Sequence, residues 1–135
     1  MRKLKLLFAC VENACRSQMA EGFARHYGSE NVQVCSGGSK PAEKVNPKAV
    51  KVMKEIGIDI SSHEPTIIDP EDARNSDYVI TMGCGPDACP APVGGKTIEW
   101  DLEDPSGSPI QKFREVRDKI EENVKKLLKD LKEPS

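Results

Sequence analysis

The chain has 135 residues, which is enough for one domain of ordinary size and too few for two. Its 37% apolar content, together with 10 glycines, is near the globular norm and excludes a disordered or collagen-like chain. Twenty Lys and Arg residues against 22 Asp and Glu residues give a net charge of −2, without the positive excess that nucleic-acid binding uses. We therefore expect a single domain over residues 1–135 and no nucleic-acid partner.

The amino-terminal segment superficially resembles an export signal that ends in a lipidatable cysteine, Cys10. Its unbroken apolar run covers only residues 6–11, whereas a signal core needs about 7–15 apolar residues. Elsewhere, no stretch approaches the roughly 18 apolar residues of a membrane span. The sequence therefore predicts a soluble protein with no membrane partner.

Residues 4–9 form a nearly continuous apolar run that ends at Cys10, as in a strand buried on both faces of a parallel sheet. Over residues 16–28 apolar side chains recur at helical spacing, and the glycine at the end is a common helix stop. Residues 31–35 alternate like a second strand, which we expect the Gly- and Pro-containing segment 36–41 to break.

Two helix starts follow, Asn46-Pro47 and Asp69-Pro70, each with a capping side chain before a proline at the first helical position. The first predicts a helix that ends at Gly57, and the second predicts a short helix through Asn75. Residues 78–82 then predict a third buried strand.

Residues 83–95 contain four glycines and three prolines, so we predict a pliant loop before a fourth strand over residues 97–100. From Ile110, apolar residues recur at helical period to Leu131 and predict a long surface-packed helix. Strands that alternate with helices imply right-handed crossovers and a parallel sheet. We therefore predict an α/β fold with four parallel strands in the order 2-1-3-4 and helices on both faces.

The segment from Cys10 to Ser17 places a thiol and a guanidinium six positions apart, between a strand end and a helix start. Backbone N–H groups of such a loop converge on an anion, and the first turn of the helix adds its positive dipole end. The guanidinium can grip two oxygens of a tetrahedral oxyanion. We predict an oxyanion site made by the following residues: Val11, Glu12, Asn13, Ala14, Cys15 and Arg16.

Cys10 is the predicted nucleophile of this site, because the same field favours its ionised form. Ser17 can donate its hydroxyl to the thiolate and later assist its departure. The alternative is that Cys10 is a small buried residue at a strand end, and this is the interpretation that we favour for Cys15 and Cys35.

Five cysteines, an odd number without a secretion signal, argue against a disulfide framework and for reactive or metal-binding thiols in a reducing cytoplasm. Besides the three named above, these are Cys84 and Cys89. The alternatives for this pair are that both cysteines are incidental or that they bind zinc, but their C-x4-C spacing without a second pair or a His cluster is a weak zinc signal, and we favour a redox role.

The motif from Cys10 to Ser17, continued by Gln18-Met19-Ala20-Glu21, resembles the signature of the low-molecular-weight tyrosine phosphatase superfamily. Within it the motif is closer to the arsenate reductase branch, because Gln18 stands where the phosphatases usually have proline. Four further segments look like that branch: residues 57–63, 79–85, 87–90 and 100–105. The resemblance covers nearly all of residues 3–131.

The resemblance implies reduction of arsenate, with phosphate or sulfate as mimics. Cys10 would form a thiol-arsenate adduct, and Cys84, placed after the third strand, would attack the Cys10 sulfur to release arsenite. Cys89 would then attack Cys84 to form a Cys84–Cys89 disulfide, which a thioredoxin-like donor would reduce. Some members with a similar segment use a low-molecular-weight thiol, so the donor and the order of the two cysteines stay open.

Asp104-Pro105 follows the last strand, where the carboxylic acid can protonate a leaving oxygen. The alternative is a turn-forming Asp-Pro pair. Ser106-Gly107 replace the aromatic residue that tends to follow in the phosphatase branch, and Glu12 replaces a glycine of many relatives.

No tightly bound cofactor is implied, although the resemblance allows a potassium ion on Asn13, Glu21 and Ser36. Thr66 falls where a fourth ligand, an Asp, is expected. We expect a monomer that is a cytoplasmic arsenate reductase with residual phosphatase activity. The alternatives are a low-molecular-weight protein tyrosine phosphatase that uses Cys10, Arg16 and Asp104, and a non-enzymatic binding module that senses oxyanions or redox state.

Overall fold

The computed structural model describes residues 4–28, 32–82 and 96–132. Strands and helices within these ranges follow the predicted order, and the strands form one parallel sheet in the order β2-β1-β3-β4, which confirms the predicted topology. The elements are β1 (Leu4–Cys10), α1 (Arg16–Tyr27), β2 (Val32–Gly38), α2 (Pro47–Lys54), α3 (Pro70–Asn75), β3 (Tyr78–Met82), β4 (Lys96–Trp100) and α4 (Ile110–Lys132).

Strand β1 is central, and its side chains alternate between two cores. Leu6 and Phe8 pack in the larger core, which includes buried residues of α1, α2 and α4. Leu7 and Ala9 pack in the smaller core, to which α3 contributes Ala73. Because both faces are covered, the strand reads as a continuous apolar run.

The helix starts lie where the capping signals predicted them. Asn46 accepts a hydrogen bond from the Lys48 amide at 2.9 Å, and Asp69 accepts one from the Glu71 amide at 2.8 Å. These side chains satisfy amides that have no partner within the helix. Gly57 has φ +85° in the turn after α2, a conformation that favours glycine.

Strand β2 is longer than predicted, and the expectation that it ends at Cys35 is wrong. It continues through Gly38, which pairs with Cys10 at the end of β1. A Cβ on Gly37 would lie 2.9 Å from the Ile68 Cα, and one on Gly38 would lie 2.4 Å from the Val11 carbonyl oxygen. The glycines therefore permit close backbone approach here instead of ending the strand.

The strand order brings the carboxyl ends of β1, β3 and β4 to one sheet edge, where α/β proteins bind ligands. The predicted loop 83–95, with Cys84 and Cys89, lies outside the described residues. None of the helices in the described ranges is long and apolar enough to cross a membrane.

We expect Gly38→Ala to destabilise the protein by roughly 1–3 kcal/mol, because the added methyl group must displace backbone atoms. Urea unfolding measures this change. Gly22→Ala is the comparison variant: its Cβ would meet side-chain atoms of Ile60 and Met53, at 2.9 and 3.1 Å, instead of backbone atoms, and alanine favours helix at this position, so we expect a smaller loss of stability. Equal stability of Gly38→Ala and wild type would contradict the expectation.

Candidate active site

The loop between β1 and α1, residues 11–15, is hereafter the oxyanion loop. Its carbonyl groups are engaged on the outer side by the segment that follows β2. The carbonyls of Val11, Glu12 and Ala14 accept hydrogen bonds of 2.8, 2.9 and 2.8 Å from backbone amides of residues 40, 42 and 46. Because a peptide unit is planar and trans, each following N–H group points the opposite way, toward the inside of the loop.

The sulfur of Cys10 lies inside this loop, and the residue is 3% exposed. The backbone N–H of Asn13 donates to Cys10 Sγ at 3.2 Å, and Ser17 Oγ lies 2.9 Å from the same sulfur. Hydrogen bonds donated to a sulfur stabilise its ionised, nucleophilic form.

Asn13 sets the direction of the Ser17 hydroxyl. Its Nδ2 group donates to Ser17 Oγ at 2.7 Å, which leaves the hydroxyl proton free to point at Cys10 Sγ. Asn13 is fully buried and has φ +51°. Sequence reasoning placed Asn13 in the loop but missed this side-chain role, although Asn is among the residues that tolerate the left-handed conformation.

Gln18 is a second residue whose role sequence reasoning missed. It is buried, and its Nε2 group donates to Asn13 O and Asn13 Oδ1, each at 3.0 Å. Its Oε1 lies 3.0 Å from His63 Nδ1, so the imidazole of His63 holds the Gln18 side chain in place. Proline at position 18 would remove this support because it has no side-chain donor or acceptor.

Arg16 is buried between the oxyanion loop and the ends of two strands. Its Nη1 donates to the Met82 carbonyl and, at 3.1 Å, to the Leu102 carbonyl. Its Nη2 lies 3.8 Å from Asp104 Oδ2. The guanidinium thus joins the oxyanion loop to the carboxyl ends of β3 and β4, where the predicted acid and relay segments begin.

Asp104 forms the turn that was the alternative interpretation, and it also faces the oxyanion loop; acid catalysis stays a prediction. Its Oδ1 accepts a hydrogen bond of 3.0 Å from the Ser106 amide, which closes a turn, while Oδ2 faces Arg16. Cys10, Arg16 and Asp104 line one open cavity of about 490 Å³. Glu12 also lines it, and its side chain is exposed.

Cys15 and Cys35 lie in less reactive surroundings. Burial, and then the nearby Asp104 carboxylate, raise the pKa of the Cys15 thiol well above its ordinary value. Burial and Asp72 raise the pKa of Cys35 to about 11. At neutral pH both are therefore protonated, in keeping with the packing role predicted for them.

The predicted potassium ligands are only partly available in this arrangement. Ser36 Oγ donates to Glu21 Oε1, while Asn13 Oδ1 accepts hydrogen bonds from Gln18 and from the Thr66 amide. Both lone pairs of that oxygen are engaged, so an ion would require Gln18 to turn away. Potassium stays a prediction. Within the described ranges, His, Cys, Asp and Glu side chains form no metal-ligand cluster of three or more.

Comparison with known proteins identifies relatives over nearly the whole chain. The low molecular weight phosphotyrosine protein phosphatase family matches residues 5–90 and 92–135. Arsenate reductase 2 of Staphylococcus epidermidis is 44% identical over 122 residues, which are 89% of this chain and 92% of that protein. An arsenate reductase of Staphylococcus aureus strain Newman is 43% identical over 122 residues, which are again 89% of this chain and 92% of that protein.

Solved structures place the same fold in both branches. A thioredoxin-dependent arsenate reductase of Corynebacterium glutamicum has a TM-score of 0.82 at 37% identity, over 97% of this chain and 63% of that one. The low molecular weight protein tyrosine phosphatase of T. tengcongensis has a TM-score of 0.81 at 28% identity, over 95% and 99%. The chain therefore belongs to the low molecular weight phosphotyrosine protein phosphatase family.

Proposed function

We propose that this protein reduces arsenate to arsenite. The observation that carries the proposal is the buried Cys10 sulfur inside the oxyanion loop, which accepts a hydrogen bond from the Asn13 backbone N–H and contacts the Ser17 hydroxyl that the Asn13 side chain orients. The arsenate reductases among the relatives, at 43–44% identity over most of the chain, support this substrate. We further propose that the protein acts as a monomer in the reducing cytoplasm, where thiol donors are abundant.

The first step joins Cys10 to arsenic. The inward amides of the oxyanion loop and Arg16 bind the arsenate oxygens, and the thiolate attacks arsenic to form an S–As bond. One oxygen leaves as water after Asp104 protonates it. Arg16 and the amides stabilise the negative charge that grows on the remaining oxygens during this step.

The second step supplies two electrons. The Cys84 thiolate attacks the Cys10 sulfur, the S–As bond breaks, and its electron pair stays on arsenic, which leaves as arsenite. Cys10 and Cys84 are then joined in a disulfide. Cys89 attacks Cys84 and frees the Cys10 thiolate, whose departure Ser17 assists. A dithiol donor such as thioredoxin reduces the Cys84–Cys89 disulfide, and a low-molecular-weight thiol is the alternative donor.

Phosphatase activity is the second candidate, since Cys10, Arg16 and Asp104 are also the groups that phosphoester hydrolysis needs. The T. tengcongensis phosphatase shares the fold. A cysteinyl phosphate formed on Cys10 would be released by water, without any role for Cys84 or Cys89. We therefore expect slow aryl phosphate hydrolysis beside arsenate reduction.

Replacement of the relay cysteines tests the proposal. With thioredoxin, thioredoxin reductase and NADPH, we expect Cys10→Ser, Cys84→Ser and Cys89→Ser each to lower arsenite turnover by at least about 10³-fold, because each step needs its thiolate. Cys35→Ser is the matched control and should retain turnover. Full turnover of the Cys84 and Cys89 variants would contradict the relay, and hydrolysis of aryl phosphate far faster than arsenate reduction would favour the phosphatase.

Asp104→Asn removes the acid but keeps an oxygen that can close the turn with Ser106. We expect kcat for arsenate to fall by about 10²-fold or more, since hydroxide is a poor leaving group without a proton. Hydrolysis of p-nitrophenyl phosphate, whose leaving group needs little protonation, should fall less. The exposed Asp101→Asn is the control. An equal fall for both substrates would speak against acid catalysis.

Thiol alkylation distinguishes the described cysteines by pH. At pH 7 iodoacetamide should modify Cys10 first, and saturating phosphate should slow this reaction by occupying the loop. Cys35 has its pKa raised to about 11, so its thiolate fraction and its alkylation should rise only as the pH approaches that value. Peptide mass spectrometry measures each rate. Cys10 alkylation as slow as that of Cys35 at pH 7 would refute the activated thiolate.

A further inference from the structure

Two consecutive carboxylates, Glu103 and Asp104, lie in the loop between β4 and α4, and both line the cavity beside Arg16. Their side chains are 65% and 54% exposed. Asp104 Oδ2 lies 3.8 Å from Arg16 Nη2, whereas Glu103 Oε2 lies 2.6 Å from Lys112 Nζ in the first turn of α4. Two acids of the same charge are thus directed to two different cations.

We propose that Lys112 is a positioning residue that holds the Glu103 carboxylate away from Arg16, so that Asp104 is the carboxylate beside Arg16 when the oxyanion binds. The proposal rests on the proposed function, in which Arg16 binds the oxyanion and Asp104 supplies the proton. It adds a residue that touches neither substrate nor reacting atoms.

Lys112 is itself held in place by the start of α4. Its amide donates to the Pro109 carbonyl at 3.0 Å, and its Nζ lies 3.9 Å from Glu115 Oε2, one helical turn further on. The pairing with Lys112 lowers the pKa of the Glu103 carboxyl and that of Lys112 is raised in turn. Glu103 is an anion at neutral pH with or without this partner, and the pairing directs its charge toward the helix.

The loop that carries both acids is fixed at its two ends. Leu102 is buried, and its carbonyl accepts from Arg16. At the other end the Ser108 carbonyl accepts a hydrogen bond of 2.8 Å from Lys48 on α2. These two hydrogen bonds hold the loop backbone independently of the Glu103–Lys112 pair. Loss of Lys112 should therefore free the Glu103 side chain without unfolding the loop.

Without Lys112, the Glu103 carboxylate would compete with the oxyanion for Arg16. It would stand next to Asp104 at the cavity, where a guanidinium is the favoured partner of a free carboxylate. Occupation of Arg16 by Glu103, or its charge at the cavity mouth, would weaken the binding of any oxyanion. A merely structural tether predicts something different, because loss of either partner would then have the same effect.

The test uses the full chain in five forms: wild type, Lys112→Met, Lys112→Arg, Glu103→Gln and the double variant Lys112→Met/Glu103→Gln. The probe is inorganic phosphate, and the readout is the phosphate concentration that half-protects Cys10 from iodoacetamide. KM and kcat for arsenate are measured in parallel. Lys129→Met, an exposed charge loss far along α4, is the control.

We expect Lys112→Met to raise the half-protecting phosphate concentration and the arsenate KM by about fivefold, the scale of a close charge at an exposed site. Lys112→Arg and Glu103→Gln should stay within about twofold of wild type. The double variant should also return to that range, because removing the competing charge makes Lys112 dispensable.

Three results would overturn the inference: Lys112→Met behaves like Lys129→Met, Glu103→Gln alone shows the loss, or the double variant stays as impaired as Lys112→Met. Phosphate protection does not depend on arsenate turnover. A wild-type protein that forms no arsenite with any thiol donor would refute the proposed function, while the protection series would still decide the role of Lys112.

Discussion

The arrangement of the site depends on hydrogen bonds made by the outer side of the oxyanion loop. The carbonyls of residues 11, 12 and 14 accept hydrogen bonds from backbone amides in the segment 40–46. The loop therefore cannot turn its own amides outward without losing those bonds. The inward direction of the N–H groups brings Asn13 N to Cys10 Sγ and makes a binding surface for an anion. Gly38 permits this packing because a Cβ at this position would clash with the Val11 carbonyl oxygen.

Arg16 connects this loop with the rest of the sheet edge. Its contacts with the carbonyls of Met82 and Leu102 bring one guanidinium to the ends of β3 and β4. The same side chain faces Asp104, so the oxyanion loop, the ends of β3 and β4 and the proposed acid lie around one cation. Charged side chains close to Arg16 therefore affect this site, because a carboxylate there would compete with an oxyanion for the N–H donors of the guanidinium.

Much of the site was predictable because it is local in sequence. Cys10, Arg16 and Ser17 lie within eight residues, and a strand followed by a helix places them together. The side-chain roles of Asn13 and Gln18 were less visible, since their partners include Thr66 and His63, which come from a different part of the chain. The local signal at position 13 is the residue type, since Asn tolerates the left-handed conformation that this loop requires.

The order of elements, their caps, the parallel sheet and the thiol-guanidinium pair could be predicted before any coordinates, because periodicity and motif spacing are properties of neighbouring residues. Three features could not: β2 runs through its glycines, Asp104 both forms a turn and faces Arg16, and Lys112 pairs with the adjacent carboxylate. Each of these depends on groups brought together from distant parts of the chain, whose distances and directions no local pattern encodes.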